Sequence, residues 1–389
     1  MYRGKRAFGL LAALVAGVAA AVMLTVRQLP DELIVHRDGS AQLATILPVS
    51  VEINDSHADS ARAKLFGVVG VKDVGLRRER PRKVMLAGTL FGLRMYSDGV
   101  MVVGLSDFES DGRRVNPAKE SGISTGDMIL SADGRRVYTN EDFAKAVMNA
   151  RDGLTLELAD RNGGTRRVRL IPADSDADGC LKTGMWVRDS AAGIGTLTYI
   201  DPENGTFGGL GHGICDSDTH QIVPIHEGQI VSAGISSIRR GVRGSAGELR
   251  GYLSGEELGV LESNSPCGAF GRYTSPLPAG KEYETAVKQE IRQGNAKLLC
   301  TVTSDGRPAL YDVVIKRINY GGDPAKNMIV TVTDEGLLEK TGGIVQGMSG
   351  SPLIQNGRFI GAVTHVFVND PTSGYAIFAE NMLGQQQTA

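Results

Sequence analysis

Aromatic residues make up only 5% of this 389-residue chain, and Trp186 is the sole tryptophan. With 51 glycines beside so few rings, tight turns and short strands are expected rather than long helices. Cysteine is equally sparse. Cys180, Cys215, Cys267 and Cys300 are widely spaced with no C-x-x-C pair, which argues against a structural zinc site or a disulfide framework and leaves at most one bridge open. The formal net charge of −2 gives no electrostatic footprint for nucleic acid. No cofactor and no metal is expected. The length suits two or three domains, each with its own core.

What the sequence does have begins at its N-terminus. Arg3, Lys5 and Arg6 precede an apolar run over residues 7–26 that ends at Arg27. That is about the length of a bilayer-spanning helix, and the basic flank places the remainder on the outer side. A single-pass membrane protein with its working part exported is the expectation. Ala19-Ala20-Ala21 offers the competing reading of a cleaved signal peptide. Residues 1–28 are thus an anchor or signal segment and residues 29–83 a linker, with one candidate strand in Ile46-Leu47-Pro48-Val49-Ser50-Val51-Glu52-Ile53.

Residues 84–173 change character. Strand patterns at Gly88-Thr89-Leu90-Phe91-Gly92-Leu93-Arg94-Met95 and Gly99-Val100-Met101-Val102-Val103-Gly104 lead to Pro117-Ala118-Lys119-Glu120-Ser121-Gly122-Ile123 and Gly126-Asp127-Met128-Ile129-Leu130. A helix over 141–150 follows, capped by Thr139 or Asn140, with Phe143, Ala146, Val147 and Ala150 at helical spacing. This segment resembles a PDZ domain. The resemblance implies that Phe91, Gly92 and Leu93 hold a peptide C-terminal carboxylate and that Phe143 and Val147 face the peptide groove.

Beyond it, Asp174-Ser175-Asp176-Ala177-Asp178-Gly179 opens like an EF-hand loop, but Met185 stands where the closing glutamate belongs and Lys182 would repel a cation. It reads as an acidic interdomain linker. Residues 184–389 are rich in short strands and turns, with a helix expected only near 282–293. A β-barrel or pair of barrels fits that pattern.

The stretch Gly347-Met348-Ser349-Gly350-Ser351-Pro352 sets a serine in a glycine turn at the mouth of a hairpin, with Asn356-Gly357 as the hairpin's own turn. A serine nucleophile needs a base and oxyanion donors. Of the six histidines, His212 stands in a glycine turn, free to reach across a cleft, while His365 ends the hairpin after Ser349. A metal reading of His212, Cys215, Asp216, His220 and His226 fits no usual zinc spacing. The order histidine then serine matches chymotrypsin-like enzymes, not α/β-hydrolases or subtilisins.

Four stretches carry a more specific likeness: Trp186-Val187-Arg188-Asp189-Ser190, Gly193-Ile194-Gly195-Thr196-Leu197-Thr198-Tyr199-Ile200-Asp201-Pro202, Gly208-Gly209-Leu210-Gly211-His212-Gly213-Ile214-Cys215-Asp216, and the run from Thr333-Asp334-Glu335-Gly336 into the serine motif. With the order of anchor, PDZ domain and peptidase domain, the chain resembles the SpoIVB sporulation peptidases over nearly its whole length. The resemblance implies a mainly β protein with some α: a transmembrane helix, a PDZ domain at 84–173 and a chymotrypsin-like double β-barrel at 174–389. It implies a serine endopeptidase with Ser349 as nucleophile, His212 as base and Asp334 as the orienting acid, Asp216 and Asp312 being alternatives. By analogy with chymotrypsin-like enzymes the N–H groups of Gly347 and Ser349 form the oxyanion hole. In that family the enzyme processes itself and cleaves a membrane-bound regulator of an intramembrane protease, signalling between forespore and mother cell. An HtrA-like quality-control protease and a non-catalytic PDZ scaffold are the other readings. The PDZ segment precedes the peptidase segment here, unlike the HtrA order.

Overall fold

The computed structural model describes residues 2–36, 39–53, 59–278 and 280–385. Helix α1 (Tyr2–Gln28) opens the chain. Among the described residues, however, no helix is long and apolar enough to cross a membrane. This overturns the expected transmembrane helix and with it the single-pass membrane placement. The last turns are committed to the protein instead: Thr25 is fully buried and its Oγ1 accepts from Leu47 N at 3.3 Å.

The stretch read as a linker folds into a five-stranded sheet running from Glu32–Val35 to Val69–Arg78. Val49–Ile53 is one of its strands, and its alternation turns Val49, Val51 and Ile53 into the core beside Leu33 and Val74.

In the PDZ segment, helix α2 (Asn140–Met148) begins at a reciprocal cap. Thr139 Oγ1 accepts from Asp142 N at 3.1 Å, and the Asp142 carboxylate accepts from Thr139 N at 3.2 Å. Its buried face, Phe143 and Val147, packs on Leu154, Leu156 and Leu158.

Strand β1 (Leu90–Leu105) ties this segment to the rest. The two strands expected here run together through Gly99, whose φ of +138 lets its backbone pass Ile129 O where a Cβ would sit at 2.8 Å. Strand β2 (Met185–Ile200) pairs with β1 from Leu105 back to Leu90. On the other edge, Val100 and Met101 pair with Ile129 and Met128, while residues 91–97 pair with β3 (Ile225–Arg239). One twelve-stranded sheet therefore spans PDZ and peptidase segments.

The C-terminal part closes into a six-stranded barrel: Gly294–Cys300, Ala309–Ile318, Met328–Val332, Asp370–Phe378, then β4 (Arg358–Phe367) and Pro352–Gln355. A second closed barrel was expected. Its strands instead belong to the open sheet, because β1 carries that sheet on into the PDZ segment. The helix expected near 282–293 is a strand, Glu282–Glu284, and a single 3₁₀ turn, Lys288–Glu290. Neighbouring strands claim its backbone, with Thr285 N donating to Arg82 O and Ala286 N to Phe359 O. All four thiols are free.

Candidate active site

Ser349 sits in the turn between helix α3 (Glu335–Thr341) and the strand Pro352–Gln355. The glycines on either side are required. Gly347 and Gly350 both have φ of +96, and a Cβ on Gly350 would fall 2.1 Å from Thr196 O. Strand β2 clamps the turn: Thr196 Oγ1 donates to Gly347 O at 2.8 Å, Thr196 N to Ser349 O at 2.9 Å, and Thr198 Oγ1 to Gly350 O at 2.7 Å. Among the described residues, the N–H groups of Gly347 and Ser349 have no acceptor. The following hairpin turns at Asn356 and Gly357, both with positive φ as a type I′ turn requires.

His212 follows the strand Thr206–Gly209 in a turn pressed onto the barrel, where a Cβ on Gly211 would lie 3.0 Å from both Thr364 and Ile377. Its Nδ1 faces Gly213 O at 2.9 Å. As the donor to that carbonyl, Nδ1 carries the proton of the neutral ring and leaves a lone pair on Nε2. Burial holds the imidazole below its ordinary pKa, against the raising effect of the Gly213 carbonyl.

His212, Ser349 and Gly347 line one cavity of about 740 Å³ between the open sheet and the barrel, together with Asp323, Lys326 and His365. The Ser349 hydroxyl donates to Thr364 O at 2.7 Å, so in this arrangement it is turned to the barrel wall. The cavity holds a hydroxyl, a neutral imidazole and two unengaged N–H donors, the groups that acyl transfer through serine needs.

The expected acid is elsewhere. Asp334 caps helix α3, accepting from Leu337 N at 3.0 Å and from Asp312 N at 3.3 Å, and does not line the cavity. Asp312 pairs with Lys297 at 2.7 Å. Asp216 is buried against Arg188 and accepts from Thr219 N and Asp218 N. Burial pushes its carboxyl up, but those donors and the guanidinium outweigh it and hold it below the ordinary value.

The expected carboxylate loop is also displaced. Phe91, Gly92 and Leu93 lie inside β1 with β2 on one edge and β3 on the other, so their backbone groups are spent in the ladder. Phe91 is fully buried, and Leu93 helps wall the cavity. Phe143 and Val147 are buried in the PDZ core, where Met185 and Val187 of β2 pack on the same cluster. Among the described residues no three His, Cys, Asp or Glu side chains are grouped to hold a metal ion, and His226 stacks on Tyr138 instead.

Sequence reasoning passed over Thr196, Thr364 and Asp323. Thr196 and Thr198 left a readable sign: two hydroxyls at alternate positions of an otherwise apolar strand point the same way.

The profile of the SpoIVB peptidase S55 family matches residues 179–383, more than half of the chain. The chain belongs to the SpoIVB peptidase S55 family. A PDZ domain profile matches residues 91–170. The protein is therefore a serine peptidase that carries a PDZ domain. No curated protein matches it. Among solved structures it is similar to the Rv3671c protease from M. tuberculosis in its active form, at 17% identity and a TM-score of 0.30 over 51% of this chain and 74% of that one. It is also similar to the HtrA-type protease AlgW with decapeptide, at 15% identity and a TM-score of 0.32 over 52% of this chain and 54% of that one. Likeness at that level adds nothing to the family assignment.

Proposed function

We propose that the protein is an endopeptidase in which Ser349 attacks the scissile carbonyl and His212 Nε2 takes the hydroxyl proton. Ser349 Oγ first leaves Thr364 O. The C–O bond forms as the carbonyl π pair moves to oxygen, and the N–H groups of Gly347 and Ser349 receive the oxyanion. The imidazolium then protonates the leaving amine. Water, deprotonated by the same ring, releases the acyl group from Ser349. The observation that carries this reading is the convergence of His212, Ser349 and two unengaged N–H groups on one cavity.

The substrate is a protein, and we place the reaction in sporulation: self-processing, followed by cleavage of a membrane-bound regulator that restrains an intramembrane protease. The family assignment and the PDZ domain support this. The test is Ser349→Ala, followed for self-processing and for cleavage of the regulator in a sporulating host. Both should fall by about 10³-fold or more. Undiminished processing by the variant would remove Ser349 from the reaction.

A further inference from the structure

We propose that His365 is a positioning residue of the active site, its ring packing on the face of the His212 imidazole and holding that base in orientation. The inference rests on His212 as the base. Three candidate acids have been located, and each spends its carboxylate elsewhere: Asp216 on Arg188, Asp312 on Lys297, Asp334 on the cap of helix α3. What stands against His212 is a second imidazole. The ring centroids of His212 and His365 are 4.9 Å apart with planes inclined by 37°.

His365 is well placed for this. It lies on β4 immediately after Thr364, the residue whose carbonyl holds the Ser349 hydroxyl, so one strand carries contacts to both reacting groups. Its neighbour across the ladder is Tyr375 on Asp370–Phe378. Asp323 and Lys326, paired at 2.9 Å, stand on the same cavity wall. A base needs two restraints, one on the tautomer and one on the ring's orientation. The Gly213 carbonyl fixes the tautomer at 2.9 Å. A single hydrogen bond leaves the ring free to swing about it, and a ring packed on the face removes that freedom.

The contact works by packing rather than by charge. His365 is pushed down to about 4, by desolvation first and then by His212 and Lys326, with Asp323 opposing. At neutral pH both rings are uncharged, so His365 adds no repulsion to the base. It also shields one face of His212 from water, which helps hold that imidazole below its ordinary pKa.

The experiment compares the full-length protein with His365→Ala and His365→Phe by NMR titration of His212 and by the kinetics of peptide cleavage. In His365→Ala the His212 titration should move up toward ~6.5. Its kcat should fall about 10- to 100-fold with KM held within about twofold. His365→Phe restores a ring without a titratable nitrogen, and both readouts should return toward wild type. An unmoved His212 titration with wild-type kcat in His365→Ala overturns the proposal, as does failure of phenylalanine to restore either readout. The titration is read whether or not Ser349 is the nucleophile. A processing-competent Ser349→Ala protein would defeat the peptidase chemistry alone.

Discussion

At Asp334 the carboxylate already has two donors, Leu337 N in the first turn of helix α3 and Asp312 N in the barrel strand Ala309–Ile318. The expected consequence of Asp334→Ala is structural. Losing an N-cap acceptor costs about 1 kcal/mol, which should appear as a lower urea midpoint at unchanged slope. Cleavage per folded molecule should stay near wild type. Abolished cleavage by fully folded Asp334→Ala protein would return the acid's role to this residue. The contrast with Ser349 and His212 is instructive. Their surroundings are glycines forced by close backbone approach, and such constraints are written locally in the chain. An orienting acid has no local signature. Its identity depends on which side of the barrel a strand end faces, and spacing between Asp334 and Ser349 carries no information about that.

Strand β2 is the element through which the two matched segments meet. Its first residues, Met185 and Val187, pack on the PDZ core. Ala191, Ala192, Gly193 and Ile194 wall the cavity, and Thr196 and Thr198 bond the Ser349 turn. Its individual features were legible, since the strand 193–200 and the PDZ helix were both marked by their period. Its continuity was not. Nothing near Gly99 announces that the strands on either side of it will join, and nothing near Ser190 that β2 will lie along them, because that pairing is settled by partners far away in sequence. Placing a charge at one end should therefore be felt at the other. Val187→Asp puts a carboxylate against the PDZ cluster at a cost of about 2 kcal/mol. Hydrogen exchange should rise along β2 as far as the Thr196 amide, which donates to Ser349 O. A rise confined to residues 185–190 and the PDZ segment would show the two ends to be uncoupled.

For the whole molecule, the boundary between the two matched families runs through the middle of a sheet. The PDZ match begins at residue 91 and the peptidase match at residue 179. Yet β1, which opens the first, lies between β2 and β3 of the second. Phe91 is fully buried there, with its ring 6.5 Å from that of Phe207 in an edge-to-face contact. Leu93 and Met95 are buried with it and line the cavity. Truncating one such aromatic side chain costs about 3–5 kcal/mol, against a total stability of about 5–15 kcal/mol for a folded domain. A fragment of residues 179–389 loses the aromatic, both aliphatic neighbours and the ladder partners of two strands together. It should lack near-UV circular dichroism and a cooperative melt, whereas the full chain should melt its PDZ and peptidase parts in one transition. A co-expressed peptide of residues 84–105 should restore part of the fold, because it returns the missing strand without the PDZ core. If the 179–389 fragment alone melts cooperatively and cleaves substrate at the full-length rate, the PDZ segment is a detachable module and the shared sheet contributes nothing to the peptidase.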